Sequence, residues 1–511
     1  MRITLISTLT SPSDQGIRTI SAVLKKAGHD VKIVFMVASE DYSKFYHKKE
    51  LEKLYEICKN SNLIGFSSFA STAPRAIQII NFLKKRKLKI PMVWGGIHAT
   101  ISPEKCIEHC DIVCVGEGEE TILDLAKSLE QKKSIKKIKN LWVRDKNKII
   151  KNPVRPVIDD LDKLPFVDYD IKNHYILDGH YLRKFKEKDL DGAIFFLTGR
   201  GCSYGCEYCS NNFLNKLYKG KRKSIIRWNS VDYIINCILE LKKKFKTLKY
   251  FDIRDDSFSF RPLSQIKEFS EKYKEKVKMR FKCLGDPKTI TDEKIKLLVD
   301  AGCTDIIIGI QGSERVNQEL YHRPQTDKQV LDSAKFLSKY KNLNVMYDVI
   351  TCNPYETAED VLNMIKLLQK IPKPYFLSVN NLVFFPGTGL YYKAIKDSKL
   401  SKQVEVSWKL NYWDRAKHIL LKKNNMYLVL ILNLMRGSVT KRRFGFLPNF
   451  LLNYLINEKR VGRNLKNPKM TYLGLYFVGA YDLFRERIMK PVFRSLPLSF
   501  KGLYDRVRYG V

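Results

Sequence analysis

The sequence predicts an α/β protein: two parallel units in tandem, then a mostly helical C-terminal region. Short apolar runs alternate with helix-spaced segments over residues 1–135, and again over 191–395. This rhythm is that of βαβ units and parallel sheets, and it stops beyond Lys399. A chain of 511 residues, 44% hydrophobic and 12% aromatic, also asks for more than one core.

In the first unit, Arg2 to Ser7 reads as a strand and Asp14 to Ala27 as a helix stopped at Gly28. Val31–Val37, Leu63–Ser67, Met92–Gly96 and Ile112–Val115 are further strands, with helices over Leu51–Lys59 and Ala73–Arg86 between them. The result is a doubly wound, Rossmann-like sheet, whose ligands bind beyond the carboxyl ends of its strands. Those ends carry Ser67, Ser68, Thr72, Gly95, Gly96, His98, Gly116, Glu117 and Gly118. His98 reads equally as a turn residue. No Gly-x-Gly-x-x-Gly follows the first strand and no acidic residue ends the second, which argues against a nicotinamide cofactor. Cys106, Cys110 and Cys114 are spaced like one helical face, but Cys114 falls in a strand, so all three read as buried small hydrophobes.

Residues 136–190 loosen into a lysine-rich, proline-punctuated connector in which Leu164, Phe166 and Tyr169 need burial. The rhythm then resumes with an apolar run, Ala193–Leu197, and strands at Leu248–Ile253, Met279–Cys283, Asp305–Ile310, Asn344–Ile350 and Phe376–Phe385. Six strands with interposed helices predict a partial (β/α)6 barrel of the TIM type, with its chemistry at the carboxyl ends. Asp255 and Asp256 stand at one such end, where a carboxylate pair suits either cofactor binding or acid–base work.

After the first barrel strand comes Cys202-Ser203-Tyr204-Gly205-Cys206-Glu207-Tyr208-Cys209, entered through Gly199-Arg200-Gly201. Glycine lets a loop wrap closely, so three thiolates can converge on one centre. Iron–sulfur clusters use thiolate ligands, and a [4Fe-4S] cluster held by three leaves one iron open. Zinc competes, but a structural zinc site takes four ligands and no fourth Cys or His lies nearby in sequence.

This Cys-x3-Cys-x2-Cys loop, with Tyr208 before its last cysteine, resembles the cluster loop of the radical S-adenosylmethionine (SAM) enzymes. In that family the open iron chelates SAM, and reductive cleavage yields a 5′-deoxyadenosyl radical. The resemblance makes Cys202, Cys206 and Cys209 the cluster ligands, and it assigns Tyr208, Asp255, Asp256 and Gln311 to SAM. Gly309-Ile310-Gln311-Gly312-Ser313 is similar to the family's fourth-strand motif, with Gln311 replacing a carboxylate. Arg280, Asp286 and Asn380 are weaker candidates.

Upstream, Gly95-Gly96-Ile97-His98-Ala99-Thr100 and Val115-Gly116-Glu117-Gly118-Glu119 resemble the cobalamin-binding domain of one radical SAM subfamily. No Asp-x-His-x-x-Gly supplies a lower cobalt ligand. The resemblance implies methyl transfer to an unactivated carbon, with cyclisation, rearrangement or tRNA modification as alternatives. It also implies a reducing partner such as flavodoxin or ferredoxin. A sensory cluster protein is the non-enzymatic alternative.

The formal charge of +38 fits either lysine-rich solvated faces or an anionic partner, and no nucleic-acid motif accompanies it. Eleven cysteines in this length do not form a secreted disulfide framework. With no signal-peptide core and no membrane-spanning run, a reducing cytoplasm is expected. In the helical region 396–511, Trp408, Tyr412 and Trp413 precede the apolar stretches 425–436, 442–447 and 472–478. These fit helices covering the barrel or lying on an anionic membrane surface, where a lipid would join the small-molecule substrates to be expected.

Overall fold

The computed structural model describes residues 1–37, 45–190, 192–256, 258–399, 425–435 and 448–466. Five parallel strands form the middle of the first sheet: β1 (Arg2–Ser7), β2 (Asp30–Phe35), β3 (Leu63–Ser67), β4 (Met92–Gly95) and β5 (Ile112–Cys114). They are joined by α1 (Gln15–Lys26), α2 (Lys48–Cys58), α3 (Ala73–Lys85), α4 (Gly96–Ile101) and α5 (Pro103–Ile107), and α6 (Glu119–Glu130) follows. Apolar clusters fill both faces of the sheet, so β1 reads as a continuous buried run rather than an alternating one. Asp14 caps α1 by accepting from Ile17 N–H at 3.0 Å, and Gly28 follows the helix at a φ of 85°. The order β5-β4-β3-β1-β2 reverses direction at β1/β3, which opens a crevice past Ser7 and Ser67.

The stretch expected as a connector is more ordered than its composition implied. It widens the first sheet to nine strands, with the hairpin β6 (Leu141–Asp145) and β7 (Lys148–Lys151) on one edge. On the other edge β8 (His174–Asp178) pairs parallel to β2 and turns into β9 (Tyr181–Lys184). A buried polar knot explains this order. The Asp168 carboxylate accepts from Ser21 Oγ at 2.5 Å and pairs with Lys25 at 2.8 Å, while Arg18 donates to Asp168 O at 2.8 Å. Tyr169 is buried as expected, but Phe166 is 38% exposed and rests edge-on against Tyr233.

Beyond it, β10 (Ala193–Phe196) opens the second sheet, and a short antiparallel ribbon pairs β11 (Gly199–Arg200) with β12 (Arg227–Trp228). Then β13 (Tyr250–Ile253), β14 (Arg280–Gly285), β15 (Cys303–Gln311), β16 (Asn344–Thr351) and β17 (Phe376–Asn381) join β10 in sequential, all-parallel order. Helices α7 (Ser210–Leu217), α8 (Val231–Lys244), α9 (Leu263–Lys272), α10 (Asp292–Asp300), α11 (Asp327–Leu337) and α12 (Ala358–Lys370) alternate with these strands, and α13 (Gly389–Lys396) follows β17. This is the expected six-stranded partial barrel.

The helix Met426–Met435 buries Tyr427, Leu428, Ile431 and Leu432 in the barrel's own core, so this apolar run covers the barrel and does not face a bilayer. Trp408, Tyr412, Trp413, 442–447 and 472–478 lie outside the described residues. Among the described residues, no helix is long and apolar enough to cross a membrane.

Candidate active site

The cysteine loop runs from β11 to α7, and its shape depends on three local devices. Gly201 sits at a φ of 97°, and a Cβ there would lie 2.2 Å from Ile225 O, so no other residue fits. Cys209 is the N-cap of α7, and its N–H closes the loop onto Cys206 O at 2.9 Å. Two asparagines on α7 satisfy the loop carbonyls: Asn212 donates to Gly205 O at 2.6 Å, and Asn215 donates to Cys202 O and Tyr204 O. The loop's backbone is thereby satisfied without its thiols.

Burial pushes the Cys202 thiol up to about 12 and the Cys209 thiol up to about 11. Burial also raises Cys206, opposed by the Arg323 guanidinium beside it. Desolvated thiols shed their protons to a metal centre, which couples cluster loading to pH. Among the described residues, the group of three donors near enough to share a single ion is His47, Glu50 and His180.

Arg323 is buried against Asp286 and donates to Gly309 O at 3.2 Å, while Tyr204 donates to Asp286 Oδ1 at 2.8 Å. The guanidinium also lies 5.0 Å from the Tyr204 ring centroid. Sequence reasoning missed Arg323, because it belongs to no motif and reaches the cluster loop only through the fold. Tyr208 packs edge-on against Tyr321 at 4.7 Å, with its hydroxyl within hydrogen-bond reach of Cys206.

The paired carboxylates part company. Asp255 is buried and turned inward, accepting from Thr198 N–H at 2.6 Å and from the Thr198 hydroxyl. Arg261 grips the same threonine, donating to Thr198 O at 2.8 Å. Asp255 therefore fixes the strand end that feeds the loop. Asp256 lines the cavity, with Asn211 as its partner, and burial raises its pKa. Gln311 has a φ of 69° at a bulge and folds its amide back toward Gly309, away from the cavity lining. Arg280 stands at the amino end of β14, the wrong end for the site.

A cavity of about 440 Å³ lies between the carboxyl ends of the two sheets. Ser67, Gly95, Gly96, Gly116, Glu117 and Gly118 line it from the first sheet, and Gly199–Gly201, Asn211 and Asp256 line it from the barrel. The remaining first-sheet candidates, Ser68, Thr72 and His98, stand behind this lining. Ser68 Oγ accepts from Trp94 Nε1 at 3.0 Å, and Thr72 Oγ1 accepts from Thr8 at 3.2 Å. His98 is buried 5.8 Å from the Trp94 ring, and burial depresses its imidazole to about 4.

Glu117 lines the cavity but its carboxylate is engaged elsewhere. Arg227 donates to both of its oxygens, at 2.6 and 3.2 Å, and Arg200 lies at 3.2 Å. Burial opposes its ionisation, but the two guanidiniums win and hold the carboxylate below its usual range. Tyr218 accepts from Glu117 N–H at 2.7 Å, and a Cβ at Gly116 would press into that hydroxyl. This knot clamps the first sheet to the ribbon that leads into Cys202.

The donor sets fit the implied groups. Three thiols on one loop match a [4Fe-4S] cluster with one open iron. Gly96, at a φ of 86°, lines the cavity with Ser67, Gly95, Gly116 and Gly118, and this run of small residues leaves the first sheet's edge open to a bulky macrocycle such as cobalamin. Among the described residues, no histidine lines that cavity.

Comparison with known proteins agrees with this geometry. The family described as B12 binding domain matches residues 1–126, and the Radical SAM superfamily matches residues 196–368. An uncharacterized methyltransferase of Pyrococcus horikoshii is 26% identical over 384 residues, covering 74% of this chain and 78% of its own. Bacteriochlorophyllide d C-8(2)-methyltransferase of Chlorobaculum tepidum is 23% identical over 388 residues, covering 71% and 73%. The structure of the cobalamin-dependent SAM radical enzyme OxsB, with aqua-cobalamin and SAM bound, superposes with a TM-score of 0.65 at 15% identity, covering 98% of this chain and 81% of that one.

Proposed function

This chain belongs to the radical SAM enzymes that carry a B12-binding domain, and from that premise we propose that it places a methyl group on an unactivated carbon of a small molecule. The observation that carries this reading is the shared cavity: the glycine-lined edge of the first sheet and the residues flanking the cysteine loop, Gly199–Gly201 and Asn211, open onto one space. When bound, cobalamin supplies a transferable methyl group, while the cluster and SAM supply a hydrogen-abstracting radical.

The chain's own residues hold and orient these parts. Cys202, Cys206 and Cys209 ligate the cluster, and Asp256 accepts hydrogen bonds from SAM. Gly95, Gly96 and Gly118 leave room for the macrocycle. Glu117, held by Arg200 and Arg227, keeps the two sheet ends facing each other. The net change is one substrate C–H bond replaced by C–CH3.

Anaerobically reconstituted enzyme supplied with SAM, cobalamin and reductant tests the reading. It should give a methylated product with S-adenosylhomocysteine and 5′-deoxyadenosine in equal amounts. If 5′-deoxyadenosine forms alone, a non-methylating cyclisation or rearrangement replaces methyl transfer. The work is assigned to a reducing cytoplasm, with a flavodoxin or ferredoxin as donor; the +38 charge suits an acidic carrier. Reduction that does not slow with added salt would remove that partner. Peripheral membrane contact through 442–447 and 472–478 would show as flotation with anionic vesicles.

A further inference from the structure

The inner face of the barrel carries charge where a barrel interior is ordinarily packed with branched apolar side chains. On β16, Val345, Tyr347 and Val349 lie in the core beneath the helices, so the alternation turns Asp348 to the opposite, luminal face. Strand register continues that face through its neighbours. Asp252 on β13 is paired with Lys282 on β14, and Asp348 is paired with Ser378 on β17.

These groups are incompletely matched with one another. A single oxygen of Asp252 takes both cations, Arg254 at 2.8 Å and Lys282 at 3.8 Å. Its other oxygen is buried without a hydrogen-bond partner, and so is Arg254 Nε. The Asp252 side chain is only 3% exposed, so an unpartnered oxygen there is destabilising unless a ligand or water meets it. Asp348 hydrogen-bonds Ser378 and faces Lys282 and Arg254, and burial raises its pKa. Arg254 also lines the cavity, together with Asp256, so this luminal face is continuous with the cofactor space.

We propose that the methyl acceptor enters the barrel with a polar end, its hydrogen-bond donor meeting Asp252 and Asp348 and its acceptor meeting Arg254 and Lys282. The substrate is then a water-soluble small molecule bearing an amine or hydroxyl beside an acceptor group, and not a lipid. This assignment rests on the radical SAM reading and names the substrate class of that same site.

The test divides a cell extract of the producing organism into aqueous and chloroform fractions. Each fraction is added to reconstituted holoenzyme with SAM carrying a labelled methyl group. The aqueous fraction should raise 5′-deoxyadenosine formation and take up the label. In K282M and D348N the stimulation, read as the ratio with and without that fraction, should fall at least tenfold. D348N preserves shape and so guards against a folding defect. Stimulation by the chloroform fraction alone, or by neither, overturns the assignment, as do variants stimulated like the wild type. If the aqueous fraction stimulates and no label transfers, methyl transfer fails while the luminal site stands.

Discussion

The two sheets meet at one cavity yet present opposite chemistry to it. The first offers glycines, small residues and open backbone, and its carboxylates there, Glu117 and Glu119, are bound by Arg200 and Arg227. The barrel offers Arg200, Arg254 and Asp256, with a luminal set of charges continuing from Arg254. A large cofactor with little net charge needs room, whereas a charged cofactor and a reactive cluster need fixed dipoles and ions. One side supplies shape and the other supplies charge.

The sharpest break in that comparison comes from Cys209→Ala. It should reduce 5′-deoxyadenosine formation to background while the cobalamin absorbance of the loaded protein persists, since the two cofactors rest on different sheets. Asp286→Asn comes next. It leaves Arg323 buried beside a neutral partner and should cost about 3–5 kcal/mol in anaerobic denaturant unfolding. Glu117→Gln removes the charge between Arg200 and Arg227 and should cost about 2 kcal/mol, with the ribbon at 199–200 showing faster hydrogen exchange.

A smaller effect tests shape against strain. Gly96→Ala and Gly28→Ala share the same unfavourable φ, about 1–2 kcal/mol each. Only the first should weaken cobalamin affinity in a spectrophotometric titration, because Gly28 faces open space. The mildest effect tests burial alone. Glu356 is fully enclosed, and burial pushes it up to about 8 from an ordinary 4.5. A folded pKa above the unfolded one means that its stabilising contribution is complete below about pH 4.5 and is lost as pH rises through about 8. Glu356→Gln should therefore melt like the wild type in acid and increasingly above it as pH climbs past neutrality.

The elements were legible because their signals are local. β3 was read as Leu63–Ser67 and lies there, and α1 keeps the Asp14 and Gly28 boundaries that mark it. The strands within the connector are not legible in sequence because prolines and lysines conceal a sheet edge held by Arg18, Asp168 and their partners, which lie more than a hundred residues apart. Asp255 and Asp256 are indistinguishable in sequence. Only the strand end, by turning one toward Thr198 and Arg261 and the other toward the cavity, separates a structural carboxylate from an available one.

By itself, then, the sequence determined the two parallel units and the three-thiol loop, because hydrophobic period and ligand spacing are properties of neighbours along the chain. The tertiary structure decided which charges are free and which are committed, as with Glu117, Arg323 and Asp252, since each answer depends on a partner from a distant strand or helix. Desolvation acts only once those elements have packed, and it is desolvation that turns a side chain on a strand into a site.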